Sequence, residues 1–331
     1  MEYRVLGRTH RKVSVIGLGT WQLGADWGEV KEEQALEVLE AAANAGVNFF
    51  DTADVYGDGR SERIIGEFLK AHPGSGIMVA TKMGRRVDQK PQNYNLANFR
   101  AWTDRSRKNL QTDRLDLVQL HCPPTAVFAD DKVFDALDTL VSEGAIANYG
   151  VSVETCDQAL TAIARPNVAS VQIILNPFRI KPLDRVVPAA VANMVGIIAR
   201  VPLASGLLSG RYSATTTFAE NDHRNYNREG KAFDQGETFS GVDFVKGVAA
   251  ARAYSDIVQR DFGGKWSPAQ AALAWIWQQP GVTTVIPGAR NVDQARANAA
   301  AGSAPLLGAH FNHELLGLYD EYFRADIHNK W

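Results

Sequence analysis

Four side chains suited to acid–base chemistry stand at the ends of short apolar runs in this sequence. Asp51 and Tyr56 lie in VNFFDTADVYG, which begins with strand-forming residues and ends in a polar turn. Lys82 follows the apolar run IMVAT, and His121 follows LDLVQL. In parallel α/β proteins the loops at the carboxyl ends of the strands hold the reactive groups. We therefore expect these four side chains to meet at one end of a sheet.

Together the four groups could protonate a carbonyl oxygen. A phenol has a reference pKa of about 10 and is a poor acid at neutral pH. An ammonium group beside Tyr56 favours the phenolate and makes the phenol a better proton donor. Asp51 would keep Lys82 charged and oriented, and His121 could hydrogen-bond the substrate oxygen. None of these side chains transfers two electrons, so a cofactor must supply a hydride.

Each of the four also has an ordinary structural interpretation. Asp51 could cap a turn, and Tyr56 could be a half-buried loop aromatic. Lys82 could be a surface charge and His121 a hydrogen-bonded core residue. Four chemically compatible groups on three adjacent strands, all at the same end, are harder to explain in this way. The catalytic interpretation is therefore favoured.

The elements that must position these groups alternate between short apolar strands and amphipathic helices. Eight strands are predicted, each followed by a helix; they cover residues 13–18, the start of 47–57, 77–81, 115–120, 146–151, 171–175, 195–199 and 282–286. Such a pattern predicts an α/β fold, a single-domain (β/α)8 TIM barrel over residues 1–331. An N-terminal β-hairpin precedes it, and a long polar loop, residues 212–241, follows strand 7.

Composition excludes several classes of protein. The chain has 331 residues, a formal net charge of −2 and no long basic run, so neither nucleic acid nor an anionic membrane is an expected partner. Its two cysteines form no C-x-x-C motif, which predicts neither a disulfide framework nor a zinc site, and no metal is expected. The polar N-terminus and the absence of a long apolar run predict a cytoplasmic protein without a membrane span.

A dinucleotide-binding fingerprint is not present at the first glycines. Gly17 and Gly19 could begin a G-x-G-x-x-G motif, but its third position is Gln22, and no helix is predicted to start there. A Rossmann-type site is therefore not expected.

The chain resembles the aldo-keto reductases, in particular the bacterial branch that includes oxidative-stress reductases and potassium-channel β subunits. The segments that carry the resemblance are YRVLGRT, GLGTW, FFDTADVYGDGRSERIIG, ATK, LDLVQLH, YGVS, VQIILN, PLASGLLSGRY and VIPGARNVDQARAN. The resemblance implies NADP(H) as cofactor and the reversible reduction of aldehydes or ketones. It also implies that Tyr56 is the general acid, Lys82 lowers its pKa, Asp51 partners the lysine, and His121 orients the carbonyl.

The same resemblance implies a set of cofactor contacts. Gly19, Thr20 and Trp21 would lie beside the nicotinamide, with Asp51 near them, and Ser152 and Gln172 would hydrogen-bond its carboxamide. Pro202, Leu203, Gly206, Leu208 and Arg211 would surround the pyrophosphate, Gly288 and Arg290 would meet the 2′-phosphate, and Gln294 and Asn298 would reach the adenine. An arginine that clamps a phosphate favours NADP over NAD.

Two positions depart from the family pattern. Val153 replaces a common asparagine, which leaves one carboxamide contact open. Arg200 stands where many relatives have a tyrosine that stacks on the nicotinamide. A guanidinium can also stack, and its charge would favour NADPH over NADP⁺. Arg200 could instead pair with an acid of the 212–241 loop or with an anionic substrate.

The substrate and the direction of the reaction stay open at this stage. Trp21, Trp27 and Tyr94 are candidates for an aromatic pocket wall, or they pack ordinarily in loops. A polar cluster in the long loop could contact substrate or be solvated; it comprises Glu220, Asp222, His223, Arg224, Asn225 and Tyr226. The alternatives to carbonyl reduction are a sugar or polyol dehydrogenase and a non-catalytic, NADP(H)-binding redox-sensing subunit. The oligomeric state is open.

Overall fold

A parallel eight-stranded barrel forms the centre of the molecule. The computed structural model describes residues 1–24 and 30–331. The hairpin strands are β1 (Tyr3–Val5) and β2 (Lys12–Ser14), and the barrel strands are β3 (Leu18–Gly19), β4 (Phe49–Asp51), β5 (Met78–Met83), β6 (Leu117–His121), β7 (Tyr149–Ser152), β8 (Val168–Ile174), β9 (Gly196–Arg200) and β10 (Thr284–Val285). Each barrel strand pairs in parallel with the next, from β3 through to β10. Parallel bridges from Ile16 to Val285 and from Gly19 to Gly288 close the ring.

Helices surround this ring and cover the outward faces of the strands. In the described ranges they are α1 (Glu32–Asn44), α2 (Arg60–Ala71), α3 (Leu96–Leu110), α4 (Asp131–Ser142), α5 (Cys156–Ile163), α6 (Pro182–Ala192), α7 (His223–Tyr226), α8 (Phe244–Phe262), α9 (Pro268–Gln278), α10 (Val292–Ala300), α11 (Ala309–Tyr322) and α12 (Arg324–Ile327). The predicted TIM barrel is thus confirmed, with its N-terminal hairpin and the long loop after the seventh barrel strand. None of the helices described has the length and apolarity needed to cross a bilayer.

The prediction for the first barrel strand was wrong in its extent. Residues 13–18 do not form one strand. Lys12–Ser14 pairs antiparallel with Tyr3–Val5, and only Leu18–Gly19 joins the barrel. The chain must turn from the hairpin into the barrel wall between these two pairings, so a continuous strand cannot serve both.

The hairpin plugs the amino end of the barrel. Leu6 and Val13 are fully buried and pack with apolar side chains that point into the barrel from the strands, among them Met78 and Leu117. Because every second side chain of a strand points inward, Lys82 on β5 and His121 on β6 lie on the same inner face as Met78 and Leu117, further toward the carboxyl end. The barrel interior therefore changes from an apolar floor to a polar carboxyl end.

The helix α8 (Phe244–Phe262) was not predicted. It follows the long loop, and its N-cap Asp243 accepts a hydrogen bond from the backbone N–H of Lys246. Gly263 ends it in the left-handed conformation. These are ordinary signals for the start and end of a helix, so local sequence was sufficient to find it.

Candidate active site

A buried ion pair between β4 and β5 is the base of the site. Lys82 Nζ donates to Asp51 Oδ1 and also to the carbonyl oxygen of Thr52, at 2.8 Å. The two charged side chains are 1% and 3% exposed. Burial alone would lower the pKa of Lys82, but the charge of Asp51 and the Tyr56 hydroxyl outweigh it and raise that pKa. Lys82 is therefore a fixed cation.

The second oxygen of Asp51 is held by two side-chain amides, one from β6 and one from β8. Asp51 Oδ2 accepts hydrogen bonds from Gln119 Nε2 at 3.1 Å and from Gln172 Nε2 at 2.7 Å. Gln172 Nε2 also lies 3.3 Å from Gln119 Oε1. Gln172, which the resemblance assigns to the cofactor carboxamide, thus has an amide group already engaged with the ion pair. Gln172 thus helps to hold the Asp51 carboxylate through Oδ2, whereas Lys82 binds Oδ1.

Tyr56 brings its hydroxyl to the ammonium group of the pair. The Lys82 Nζ to Tyr56 Oη distance is 3.5 Å, and Nζ lies 5.2 Å from the centre of the phenol ring. Trp21 stacks on the same ring at a centroid distance of 6.1 Å. Burial raises the pKa of Tyr56, while the charge of Lys82 acts in the lowering direction. The net pKa is raised, so the lysine opposes burial without overcoming it, and the phenol stays protonated at neutral pH.

His121 presents a neutral imidazole beside this phenol. The rings of His121 and Tyr56 meet edge to face at a centroid distance of 6.0 Å. Burial, together with the cations Arg85, Lys82 and Arg200, holds the pKa of His121 well below its ordinary value. His121 Nδ1 is buried and has no hydrogen-bond partner among residues 1–24 and 30–331. The single proton of the ring is therefore best assigned to Nε2, from which it can be donated to an oxygen.

One cavity of about 420 Å³ joins these groups to the loops after β9 and β10. Most of the predicted residues line it: Gly19, Thr20, Trp21, Asp51, Tyr56, His121, Ser152, Gln172, Arg200, Pro202, Leu203, Gly206, Arg211, Gly288, Arg290 and Gln294. Lys82 lies behind Asp51 and Tyr56. Leu208 is fully buried, and Asn298 donates from Nδ2 to the carbonyl oxygen of Gly288 at 3.1 Å. Neither of these two reaches the cavity wall.

The far end of the cavity has the chemistry of an anion site. Arg290 and Arg224 both line it, and burial together with the nearby Arg224 lowers the pKa of Arg290. Gln294 Oε1 accepts from the backbone N–H of Arg290 at 2.9 Å, which fixes the backbone at the start of α10. Gly206, with φ +99°, lets the loop after β9 pass against Tyr212, where a Cβ would lie 2.2 Å from the hydroxyl. Two neighbouring guanidinium groups and a tightly turned backbone suit a phosphorylated ligand.

Arg200 pairs with an acid of the long loop, one of the possibilities that the sequence left open. Arg200 Nη1 lies 3.6 Å from Glu237 Oε1, and Nη2 donates to the carbonyl oxygen of Val153 at 3.0 Å. Arg85 Nη2 reaches the same Glu237 oxygen at 3.0 Å. The charge of Arg200 is therefore balanced beside the cavity, and we expect its preference for NADPH over NADP⁺ to be small.

The aromatic and loop candidates separate into two groups. Trp21, Asp222, His223 and Arg224 lie at or next to the cavity, whereas Glu220, Asn225 and Tyr226 are exposed. Tyr94 is buried and packs edge to face against Phe99 and Trp102, at ring-centroid distances of 6.4 and 6.3 Å, away from the cavity wall. Trp27 falls outside the described residues.

Glu237 also lines the cavity, but the sequence analysis did not single it out. Nothing in its local sequence distinguishes it from other acidic residues of the long loop.

Asp54, three residues after Asp51, is a buried carboxyl group with unusual surroundings. It is 1% exposed, and neither of its oxygens has a hydrogen-bond partner in the described chain. Burial and the nearby Glu62 raise the pKa of Asp54 to about 7, against the opposing charges of Arg86 and Arg105. At neutral pH part of the population therefore holds a proton on Asp54.

This raised pKa predicts a pH-dependent stability. The unfolded carboxyl loses its proton near pH 4 and the folded one near pH 7, so stability falls as the pH rises between these values. Asp54→Asn should remove this loss and stabilise the protein at pH 8 by roughly 2 to 4 kcal/mol, with little effect at pH 4. Chemical denaturation at both pH values measures this. Asp58→Asn is the control, because Arg86 and Arg105 lower the pKa of that exposed acid and its loss should not stabilise the protein. Equal effects of Asp54→Asn at pH 4 and pH 8 would contradict the assignment.

The chain is similar to a known protein family and to several of its members over most of its length. The model described as the Aldo/keto reductase family matches residues 15–313. Aldo-keto reductase YhdN of Bacillus subtilis (strain 168) is 30% identical over 301 residues, or 90% of this chain and 87% of that protein. Aldo-keto reductase yakc of Schizosaccharomyces pombe, whose name specifies NADP(+), is 28% identical over 299 residues, or 87% and 84% of the two chains. A solved glycerol dehydrogenase from Gluconobacter oxydans has a TM-score of 0.76 and 26% identity, covering 95% of this chain and 93% of its own. The matched residues include all four acid–base groups.

Proposed function

The chain belongs to the aldo/keto reductase family, and we propose that it is an NADP(H)-dependent oxidoreductase that reduces aldehydes or ketones to alcohols. The observation that carries this proposal is the placement of Tyr56 between the Asp51–Lys82 ion pair and the neutral ring of His121. All of these groups lie at the polar end of the barrel, beside one cavity.

The roles of the residues follow from their protonation states. A substrate carbonyl oxygen between Tyr56 and His121 would accept a hydrogen bond from the imidazole, which orients the carbonyl. Tyr56 would then give its proton to that oxygen as negative charge develops there. Lys82, kept cationic by Asp51, would stabilise the phenolate that remains. NADPH, when bound, would supply the hydride to the carbonyl carbon.

The residues at the far end of the cavity fit the phosphates of such a cofactor. Arg290 and Arg224 supply positive charge, and Arg211 lies on the loop after β9, at a place where barrels commonly bind phosphate. The relative from Schizosaccharomyces pombe carries NADP(+) in its name. We assign Arg290 to the 2′-phosphate, which distinguishes NADP(H) from NAD(H).

This assignment predicts a change in cofactor preference. Arg290→Leu should weaken NADPH binding by about tenfold to hundredfold, because a charge-assisted hydrogen bond to phosphate is lost. NADH lacks that phosphate, so its affinity should change by no more than about twofold. Fluorescence titration with both nucleotides measures the two dissociation constants. Arg296→Leu, an exposed change on α10, the helix that follows Arg290, is the matched control. An equal loss for both nucleotides in Arg290→Leu would exclude the assignment.

Oxidation of a polyol is the second candidate function, because the structurally similar protein from Gluconobacter oxydans is a glycerol dehydrogenase. The same groups serve both directions, since phenol and phenolate exchange the roles of acid and base. Steady-state assays decide between the directions: NADPH with a panel of aldehydes, ketones and sugars, and NADP⁺ with glycerol and other polyols. We expect the larger kcat/KM with the carbonyl compounds at neutral pH, because the pKa of Tyr56 is raised and its proton is retained.

A further inference from the structure

Glu237 brings a carboxylate from the long loop to the wall of the cavity. It ends the short turn Gln235–Glu237, and its side chain is 11% exposed. The backbone carbonyl of Glu237 accepts a hydrogen bond from the Ser205 hydroxyl at 3.2 Å, which ties the turn to the loop after β9. The residue lines the same cavity as Tyr56 and His121. Its position is thus fixed by both the loop and the barrel.

The two oxygens of this carboxylate have different surroundings. Oε1 accepts a hydrogen bond from Arg85 Nη2 at 3.0 Å and lies 3.6 Å from Arg200 Nη1. Oε2 accepts no hydrogen bond from residues 1–24 or 30–331. Burial would raise the pKa of Glu237, but Arg85 and Arg200 outweigh it and lower that pKa. The cavity wall therefore carries an ionised oxygen that is open to a hydrogen-bond donor on a ligand.

The Glu237 carboxylate is joined to the reacting end of the cavity through Arg85, whose Nη2 donates to Glu237 Oε1 at 3.0 Å and whose Nε donates to the carbonyl oxygen of His121 at 3.3 Å. Burial raises the pKa of the Tyr56 hydroxyl, and the charges of Asp51 and Glu237 raise it further. Because Glu237 and Tyr56 line the same cavity, a substrate whose carbonyl reaches Tyr56 can extend its remaining atoms toward Glu237. A hydroxyl there would satisfy the carboxylate, whereas a methyl group would leave it without a partner.

We propose that Glu237 is a specificity-determining residue that accepts a hydrogen bond from a substrate hydroxyl, so that the site selects hydroxylated carbonyl compounds over apolar ones of equal length. The selected class comprises hydroxyaldehydes and the open-chain forms of sugars. Substrates that place a carboxylate at this point are disfavoured by like charge. This inference rests on the proposed carbonyl reduction and specifies its substrate class.

The test compares two three-carbon aldehydes, glyceraldehyde and propionaldehyde, with NADPH and the full chain. The wild type should show a kcat/KM for glyceraldehyde at least about tenfold above that for propionaldehyde, after correction for the free aldehyde fraction. Glu237→Gln keeps the shape but removes the charge, and it should lower this ratio by about fivefold or more, since hydrogen bonds to charged groups are the stronger ones. Propionaldehyde serves as the reference within each variant, so loss of folded protein does not affect the ratio.

Glu154→Gln is the matched control. Glu154 Oε1 accepts from Arg85 Nη2 at 3.0 Å, as Glu237 Oε1 does, but Glu154 does not line the cavity. This variant should leave the ratio unchanged, whereas an equal fall would show that only the arginine network matters and would overturn the inference. A wild-type ratio near one, or a ratio retained in Glu237→Gln, would also overturn it while the proposed function stands. NADPH that is bound but never oxidised by either aldehyde would contradict the proposed function itself.

Discussion

Replacing Tyr56 with phenylalanine should lower the rate of carbonyl reduction by about 10³-fold, because the general acid is removed and Lys82 keeps its proton in the ion pair with Asp51. His121 cannot take over, because its pKa lies well below its ordinary value and its neutral ring is a weaker acid than an imidazolium. NADPH affinity should change little, since the substitution leaves the charge of Arg290, which we assign to the 2′-phosphate, in place. Single-turnover kinetics and fluorescence titration measure the two quantities separately.

Tyr94→Phe is the control for Tyr56→Phe. Tyr94 is also a buried phenol, but its hydroxyl donates to Gln89 Oε1 at 2.8 Å and it does not line the cavity. Its loss should leave the single-turnover rate within about twofold of the wild type. A Tyr56→Phe protein that binds NADPH and still reduces carbonyls at the wild-type rate would remove Tyr56 from the mechanism.

The second large effect is expected at the buried ion pair. Lys82→Met leaves Asp51 without its cation, and breaking a buried pair in this way destabilises a protein by about 3–5 kcal/mol. Carbonyl reduction should also fall by about 10²-fold or more, because the phenolate loses its neighbouring charge. Denaturant unfolding measures the loss of stability, and single-turnover kinetics measures the loss of the carbonyl-reduction rate.

A double substitution separates stability from catalysis. Lys82→Met with Asp51→Asn removes both charges but keeps a side-chain oxygen that accepts from Gln119 and Gln172. Most of the lost stability should return, because no buried charge is left unpaired. Activity should remain low, since the ammonium group is still absent. If the double variant regained activity along with stability, Lys82 would have only a structural role.

The meeting of Asp51, Lys82 and His121 at one end of the barrel was predictable because these residues follow a local rule. Asp51, Lys82 and His121 each end an apolar strand of a regular β/α alternation, and such strand ends meet in a barrel. The period of two along a strand then aims Lys82 and His121 inward, as the structure shows. No knowledge of distant contacts was needed for this step.

The pairing around Arg200 depended on contacts that the sequence does not display. Glu237 lies 37 positions further along the chain, in a loop without periodicity, and meets Arg200 only through the fold. For Leu208 and Asn298, by contrast, the sequence motif suggested a cofactor contact that the lining of the cavity does not include. Their motif positions match the family, yet in this structure Leu208 is buried and the Asn298 amide bonds to the backbone of Gly288. Contacts between distant segments therefore limited the prediction more than the barrel strands did, of which the first was wrong in its extent.

Carbonyl reduction by this protein is tested by single-turnover oxidation of enzyme-bound NADPH, followed by absorbance, after mixing with a panel of aldehydes, ketones and sugars. We predict that the wild type oxidises NADPH with at least one carbonyl compound, in proportion to the alcohol formed, and that Tyr56→Phe loses this reaction almost completely. Tight binding of NADPH in both proteins, with no oxidation by any carbonyl compound, would contradict the account and favour a redox-sensing subunit.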